Sequence, residues 1–287
     1  MNAITVNCPA KINLTLEIVN KRDDGFHNIK SIMQTVNLFD TLDIRIETGE
    51  DSISLSGNSS EIPYNEKNLV YKAADLFYKE TGIKNIRTEI YIDKKIPVAA
   101  GLAGGSTDAA GTIFGLNELF DNPLSREDLH RLCGTLGSDL NVCLEGGTIL
   151  AASRGEIIEK LKPLESKVTL IKPKNLGISA KEAYTKYSLK IHKPQNNMTE
   201  KMINAIDKNE DISEFLYNDL EYAVFDDYEE LQQIKHALPE AIMSGSGSTY
   251  FVLDNIDKNP MNSDFQILNG LQFIKHGVNI CNNFVTN

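Results

Sequence analysis

A run of small residues directly ahead of a helical pattern is the feature that most restricts how this chain folds. Residues 97–110 read PVAAGLAGGSTDAA, and the apolar positions behind them recur at helical spacing. Those positions are Ala109, Ile113, Leu116 and Phe120. Glycine lets the backbone approach a ligand closely, and a helix start offers unpaired N–H groups at the positive end of its dipole. The segment therefore predicts a loop that binds a di- or triphosphate, although a tightly packed turn would have the same composition.

The loop lacks the better-known nucleotide signatures. The sequence has no G-x-x-x-x-G-K-[ST] motif, no protein-kinase H-R-D or D-F-G motif, and no G-x-G-x-x-G in the context of a dinucleotide site. Ser106 or Thr107 could add a hydroxyl ligand to a Mg²⁺ ion held by the phosphates. The loop residues that we predict to contact the nucleotide are Pro97, Val98, Ala99, Ala100, Gly101, Leu102, Ala103, Gly104, Gly105, Ser106 and Thr107.

The N-terminal segment alternates between apolar and polar residues, which predicts a half-buried strand. Its apolar face is formed by Ile12, Leu14, Leu16 and Ile18. Lys11 and Asn13 fall on the polar face. Taken alone, both fit solvated positions on a strand as well as they fit a functional site.

The rest of the chain mixes strands and helices, which predicts an α+β fold of two packed lobes, residues 1–154 and 155–287. Strands are predicted at residues 42–46, 53–55, 86–92, 168–171 and 241–253. Helices are predicted at 69–77 (capped by Asn68 and ended by Gly82), 129–136 (with a capping box at Ser125 and ended by Gly137), 179–187, 199–206 and 218–237. The polar segment 255–264 is expected to be a surface excursion.

Composition and charge narrow the class of partner. The net charge of -11 repels phosphate backbones, which argues against nucleic acid or an anionic membrane as the main partner. No apolar run is long enough for a transmembrane helix, and the N-terminus has no signal-peptide pattern. The 4 cysteines have no C-x-x-C spacing, so we expect reduced thiols in the cytoplasm rather than a zinc or redox site.

Several motifs together resemble one kinase superfamily. Residues 97–110 resemble the phosphate loop of the galactokinase, homoserine kinase, mevalonate kinase and phosphomevalonate kinase superfamily. Further blocks narrow the resemblance to the 4-diphosphocytidyl-2-C-methyl-D-erythritol kinases. They are PAKINL at 9–14, DGFH at 24–27, MQT at 33–35, GSD at 137–139 and MSGSG at 243–247. The resemblance covers about residues 6–253 and implies an N-terminal ribosomal-protein-S5-like lobe and a C-terminal ferredoxin-like lobe, with the active site between them.

The resemblance also implies a reaction. The γ-phosphoryl group of ATP would pass to the 2-hydroxyl of 4-diphosphocytidyl-2-C-methyl-D-erythritol, an intermediate of the non-mevalonate isoprenoid pathway. Asp139 would accept the proton of the attacking hydroxyl, and Lys11 would help to hold that hydroxyl. Mg²⁺ would arrive with ATP, without a metal site on the protein itself. The partner would be this small cytidyl diphosphate substrate, and the protein would act as a monomer or weak homodimer.

The resemblance also implies which residues bind the substrate and the nucleotide. The resemblance implies that the aromatic residues hold the cytosine ring, because a flat base suits an aromatic face and a hydrogen-bond partner at its edge. The residues implied to bind the substrate are Asn13, Phe26, His27 and Tyr184. Asn68 and Lys95 lie where the family meets the nucleotide, although a helix cap and a surface charge explain them equally. Ordinary helix packing remains the alternative for Tyr184, and a hairpin turn the alternative for residues 244–248.

The sequence departs from the family pattern at four places, and three other functions stay open. Asn141 and Ser248 stand where the family usually has proline, Phe26 replaces a common tyrosine, and residues 152–156 read ASRGE where the family usually has TGRGE. The alternatives are another superfamily kinase acting on homoserine or a mevalonate derivative, a catalytically inactive ligand sensor, and a non-enzymatic interaction protein. The DGFH block argues against the first of these, and the retention of Lys11 and Asp139 argues against the second.

Overall fold

The computed structural model describes residues 2–190, 197–256 and 261–281. The polar segment predicted at 255–264 lies partly outside the described residues. Within these described ranges, no helix is both long and apolar enough to cross a bilayer.

A nine-stranded sheet forms the first lobe and extends into the second. Its strands are β1 (Asn2–Asn13), β2 (Thr15–Lys21), β3 (His27–Thr48), β4 (Ser52–Gly57), β5 (Ile86–Asp93), β6 (Thr148–Ser153) and β7 (Ile157–Lys160), together with two short strands from the second half of the chain. The long strand β3 pairs with β1, β2, β5 and β6. A bulge between Pro9 and Ala10 shifts the pairing of β1 with β3 just before Lys11.

The predicted single strand over residues 11–18 is two strands in the structure, because β1 ends at Asn13 and β2 begins at Thr15. The expectation of a half-exposed strand is also wrong. Lys11 is 3% exposed and Asn13 is 1% exposed, so the polar face is covered by other parts of the protein.

Four helices pack on this sheet: α1 (Leu69–Thr81), α2 (Gly104–Leu119), α3 (Arg126–Leu136) and α4 (Leu140–Glu145). The predicted ends of α1 are confirmed, since the Asn68 side chain accepts from the Val70 N–H and Gly82 ends the helix with a left-handed backbone. The capping box at Ser125 is confirmed as well. Ile113 and Leu116 of α2 are completely buried, so the apolar spacing after the glycine-rich loop does mark the face that packs on the sheet.

The second lobe is a four-stranded sheet covered by helices. Its strands are β8 (Lys167–Pro173), β10 (Ile242–Met243), β11 (Tyr250–Leu253) and β12 (Phe265–Gln272), in the order β10-β11-β8-β12, and β9 (Tyr217–Asn218) and β13 (Asn279–Ile280) join the first sheet. Its helices are α5 (Ala180–Leu189), α6 (Met198–Lys208), α7 (Asp219–Val224) and α8 (Glu229–Ala237).

Two predicted elements of this lobe are each interrupted. The strand predicted over 241–253 is divided by a turn at residues 244–249, and the helix predicted over 218–237 is divided by a 3₁₀ turn, Phe225–Asp227, between α7 and α8. The helices predicted at 179–187 and 199–206 are confirmed as α5 and α6.

The two lobes share a buried apolar cluster. Ile12 and Leu14 of the first lobe belong to the same buried cluster as Leu170 and Phe251 of the second. Strand β7 continues the first sheet to Lys160, and β13 returns the chain to the edge of β1. A lobe boundary near residue 155 stays a prediction, and these pairings support a proposal that the chain passes between the lobes at 161–166.

Candidate active site

Lys11 occupies the centre of the candidate site. The bulge in β1 precedes it, and its N–H donates to the Leu102 carbonyl at 3.1 Å. Its ammonium donates to Asn13 Oδ1 at 2.7 Å and to the Gly101 carbonyl at 3.2 Å, and lies 3.4 Å from Asp139 Oδ2. One buried cation therefore contacts both the glycine-rich loop and Asp139, the aspartate to which the family resemblance gives the role of general base.

Asp139 presents its carboxylate to this lysine because of where it lies in the chain. It occupies the position before α4, yet its side chain makes no capping hydrogen bond to that helix. Its side chain is 29% exposed, whereas that of Lys11 is 3% exposed. The carboxylate is therefore the part of the pair that a substrate can reach.

Asn141, in place of the usual proline, holds the turn after Asp139 through its side chain. Its Nδ2 donates to the Glu156 carbonyl at 2.8 Å, and its Oδ1 lies 3.3 Å from His130 Nδ1. These contacts fix α4 to α3 and to the turn at residues 154–156. Ser248, the other position that departs from proline, donates from Oγ to the Leu176 carbonyl.

The glycine-rich loop is shaped by close backbone packing. Gly101 has φ +76°, and a Cβ at this position would overlap the Ser244 carbonyl oxygen. Ser244 Oγ donates to the Gly101 carbonyl at 3.0 Å, and the Thr249 N–H donates to the Ala100 carbonyl at 3.3 Å. Residues 244–249 thus form a turn of the second lobe that packs against the glycine-rich loop at residues 100–101. The same turn covers Lys11 and Asn13, since a Cβ on Gly245 would lie 3.3 Å from both polar groups.

The start of α2 is the part of the loop that suits phosphate. Ala103 precedes the helix in a left-handed conformation, and no side chain caps the first turn. Gly105 is exposed and Ser106 is half-buried, while Ala100, Leu102 and Thr107 are buried and hold the loop to the interior. Of the remaining loop residues, Ala99 is exposed, and the half-buried ones are Pro97, Val98, Gly101, Ala103 and Gly104. The accessible groups at the helix start are therefore backbone amides and one hydroxyl.

The two loop hydroxyls are not equivalent. Thr107 is completely buried beside the Cys143 thiol, whereas Ser106 remains half-buried. Of the two, Ser106 therefore fits better as the residue that would meet a cation carried by the nucleotide. Within the described part of the chain, no three His, Cys, Asp or Glu side chains are grouped so as to hold a metal ion.

His27 and Tyr184 meet across the two lobes. Their rings are stacked with centroids 5.1 Å apart and an interplanar angle of 19°, and the Tyr187 ring meets the imidazole edge-on at 6.3 Å. Burial, with a smaller effect of Lys21, lowers the pKa of His27, which favours the neutral imidazole. A neutral ring can act as donor and acceptor to the edge of a base.

Phe26 is placed differently from His27. Its side chain is 53% exposed, and the Arg154 guanidinium lies 5.3 Å from its ring centroid. The structure thus brings His27 and Tyr184 together, while Phe26 contacts a cation at the protein surface. A role of Phe26 in holding the base stays a prediction.

Asn68 and Lys95 have local partners in the structure. Asn68 accepts from the Val70 N–H and donates to the Pro63 carbonyl at 2.6 Å, so both ends of its amide support the start of α1. Lys95 is exposed and forms an ion pair with Asp93 at 3.2 Å. Their contact with a nucleotide stays a prediction.

The sequence patterns missed a buried charge cluster next to the loop. Lys94 lies between Asp40 and Asp108, and all three side chains are at least nine-tenths buried. Burial raises the pKa of Asp108 to about 7, although the Lys94 ammonium opposes this change. The one available signal was Asp108, directly after the small residues of the loop. Lys94 lies 14 positions before Asp108, and Asp40 lies a further 54 positions before Lys94.

Comparison with known proteins agrees with this geometry. The family model of the GHMP kinases N terminal domain matches residues 68–149, which include the glycine-rich loop and Asp139. The fold and the site thus define a small-molecule kinase of the GHMP class. A crystal structure of homoserine kinase from Cytophaga hutchinsonii superposes with a TM-score of 0.76 over 98% of both chains. At 18% identity this match shows the fold alone, and it confirms the predicted two-lobed α+β architecture.

Curated relatives place the chain in a narrower family within the GHMP class. A 4-diphosphocytidyl-2-C-methyl-D-erythritol kinase from Clostridium perfringens is 42% identical over 251 residues, which cover 84% of this chain and 85% of the relative. One from Bacillus cereus is 38% identical over 277 residues, covering 94% and 93%. A crystal structure of 4-(cytidine 5'-diphospho)-2C-methyl-D-erythritol kinase is 28% identical with a TM-score of 0.70, over 88% of this chain and 90% of that one. The chain belongs to the 4-diphosphocytidyl-2-C-methyl-D-erythritol kinase family.

Proposed function

We propose that this protein transfers the γ-phosphoryl group of ATP to the 2-hydroxyl of 4-diphosphocytidyl-2-C-methyl-D-erythritol, with ADP and the 2-phosphate as products. One observation carries the proposal. The Lys11 ammonium contacts both the carbonyl of Gly101 in the phosphate loop and the carboxylate of Asp139. A cation that contacts both can hold the acceptor hydroxyl between the nucleotide and Asp139, the residue proposed to take the hydroxyl proton.

Phosphoryl transfer depends on positioning and on charge stabilisation more than on covalent chemistry. In the proposed mechanism the amides at the start of α2 bind the phosphates, because that end of the helix has no side-chain cap. Asp139 accepts the proton of the 2-hydroxyl, and Lys11 orients that hydroxyl and the carboxylate. Asn13 fixes the lysine, since it accepts from Lys11 and donates to Ser31 Oγ at 2.8 Å. Mg²⁺ carried with ATP would neutralise charge on the phosphates, with Ser106 as its protein contact.

The cytidyl part of the acceptor is assigned to the interface between the lobes. His27 lies at the start of β3 and Tyr184 on α5, so the base site takes one aromatic ring from each lobe. The cytosine base would contact the ring of Tyr184 and the edge of the His27 imidazole. This arrangement favours a substrate with a nucleobase over a smaller alcohol such as homoserine.

Location and assembly are further proposals. We assign the protein to the cytoplasm, in agreement with its free thiols at Cys8, Cys133, Cys143 and Cys281. We assign it as a monomer or weak homodimer. Light scattering over a range of protein concentrations measures the second assignment directly.

A coupled assay of ADP release tests the proposed reaction. With Mg²⁺-ATP, we expect turnover of the cytidyl acceptor and none above background with homoserine or mevalonate at equal concentration. Turnover of homoserine alone would overturn the acceptor assignment. Nucleotide binding without ADP release under saturating acceptor would instead support a ligand sensor.

Replacement of His27 tests the base site. We expect His27→Ala to raise the KM for the acceptor by about tenfold or more, because the substitution removes a stacked ring and a hydrogen-bond partner. The kcat and the KM for ATP should change by less than about threefold. His236→Ala on the exposed face of α8 is the matched control, with wild-type constants expected. An unchanged acceptor KM in the His27 variant contradicts the assignment.

A further inference from the structure

Three ionisable side chains meet in the interior next to the glycine-rich loop, residues 97–107, which is called the phosphate loop below. Lys94 Nζ donates to Asp108 Oδ2 at 2.9 Å and also to Asp40 Oδ2. The side chains of Asp40, Lys94 and Asp108 are 0%, 6% and 3% exposed. They come from β3, from the turn after β5 and from α2, and we refer to them as the Asp–Lys–Asp cluster. Burial of charges is costly unless they are paired, so the position of each charge is strongly constrained by the other two.

The cluster connects the two ends of the phosphate loop. Asp40 Oδ1 accepts from the N–H groups of Lys95 at 2.6 Å and Ile96 at 2.8 Å, immediately before the loop begins at Pro97. Asp108 lies in α2, one residue beyond the end of the loop at Thr107. Since Lys94 bridges the two carboxylates, charge-assisted hydrogen bonds fix the beginning and the end of the loop relative to each other.

The cluster also lies against the first turn of α2. A Cβ on Gly104 would lie 3.0 Å from Lys94 Nζ and 3.5 Å from Asp40 Oδ2, so the ammonium is close beneath the helix start. No side chain of α2 itself caps this turn. The start of α2 therefore packs directly on Lys94 and Asp40.

We propose that Lys94 and Asp108 are positioning residues for the nucleotide: the cluster holds the phosphate loop in the shape that receives the triphosphate. This inference rests on the proposed function, in which the loop binds ATP. Neither residue is assigned a contact with a reacting group. The residues assigned to the acceptor base, His27 and Tyr184, contact each other elsewhere, so loss of the cluster acts on ATP and leaves the base site intact.

Two substitutions at Asp108 separate the hydrogen bond from the charge. Asp108→Asn keeps an oxygen that can accept from Lys94, whereas Asp108→Ala removes that acceptor. Both leave Lys94 facing Asp40, an oppositely charged pair, so neither leaves a buried charge without a partner. Alanine also favours the helix in which residue 108 lies.

The experiment measures the dissociation constant of Mg²⁺-ATP by calorimetry without acceptor, and then the KM of each substrate. We expect Asp108→Ala to weaken ATP binding about tenfold, the scale of one lost hydrogen bond to a charged group. Asp108→Asn should stay within about threefold of wild type. The acceptor KM should change by less than about twofold in both variants, a difference between substrates that a general loss of stability would not produce.

Each other outcome has a defined meaning. Wild-type ATP affinity in Asp108→Ala, or an equal rise in both KM values, would overturn the role of the cluster while leaving the proposed function intact. Failure of the wild-type protein to bind Mg²⁺-ATP would overturn the proposed function and this role together. Should the alanine variant not fold, Asp108→Ser makes the same test, since its hydroxyl is too short to reach Lys94 but keeps a polar group.

Discussion

Asp139→Asn is expected to lower kcat by about 10²–10⁴-fold, the range that general-base catalysis contributes. Asparagine keeps the size of the side chain, but its amide cannot take the proton of the acceptor hydroxyl. The dissociation constant of Mg²⁺-ATP should stay within about threefold of wild type, because the amides at the start of α2 are unchanged. Rapid-quench turnover and calorimetry measure the two quantities separately.

The control for this substitution is Asp207→Asn, which removes the same charge from an exposed position on α6. We expect it to retain wild-type turnover. A near-normal rate in Asp139→Asn would show that another group, or solvent, accepts the proton. A parallel loss of ATP affinity would assign Asp139 to nucleotide binding instead.

Gly101→Ala is expected to destabilise the protein by about 3 kcal/mol. The backbone of Gly101 has φ +76°, which costs a residue with a Cβ about 1–2 kcal/mol. The new methyl group would also overlap the Ser244 carbonyl, and backbone has little freedom to move away. Because this contact joins the loop to the turn of the second lobe, activity should fall together with stability.

Denaturant unfolding measures this effect, and Gly105→Ala is its matched control. A Cβ on Gly105 meets nothing within 4 Å, so the free energy of unfolding should change by less than about 1 kcal/mol. Equal stability of the two variants would contradict the close packing of the loop against residues 244–249.

Local features of the fold were well predicted from the sequence. The cap at Asn68, the capping box at Ser125 and the buried face of α2 all follow from short-range spacing, and the structure confirms them. Such patterns depend on contacts within one helix, which the chain order already contains. In the second lobe, the turn at residues 244–249 and the 3₁₀ turn Phe225–Asp227 were not predicted. A few turn residues inside a long strand or helix pattern change the period of that pattern very little.

The candidate site could be predicted only in part, for a physical reason. Alternation showed correctly that Lys11 and Asn13 share a face, but it cannot show whether another part of the chain covers that face. Residues 244–249 cover it here, and the contact from Lys11 to the Gly101 carbonyl joins positions 90 apart in sequence. The cluster of Asp40, Lys94 and Asp108 was missed for the same reason, since its members share no spacing that a pattern could reveal.

In the proposed mechanism, amides at the start of α2 hold the triphosphate while Asp139 receives the hydroxyl proton. A crystal structure with a non-hydrolysable ATP analogue and the cytidyl acceptor tests both roles at once. We expect the phosphates on the amides of residues 104–106 and the acceptor 2-hydroxyl at about 3 Å from the Asp139 carboxylate. A nucleotide bound away from residues 97–107, or an acceptor hydroxyl out of reach of Asp139, would contradict the account.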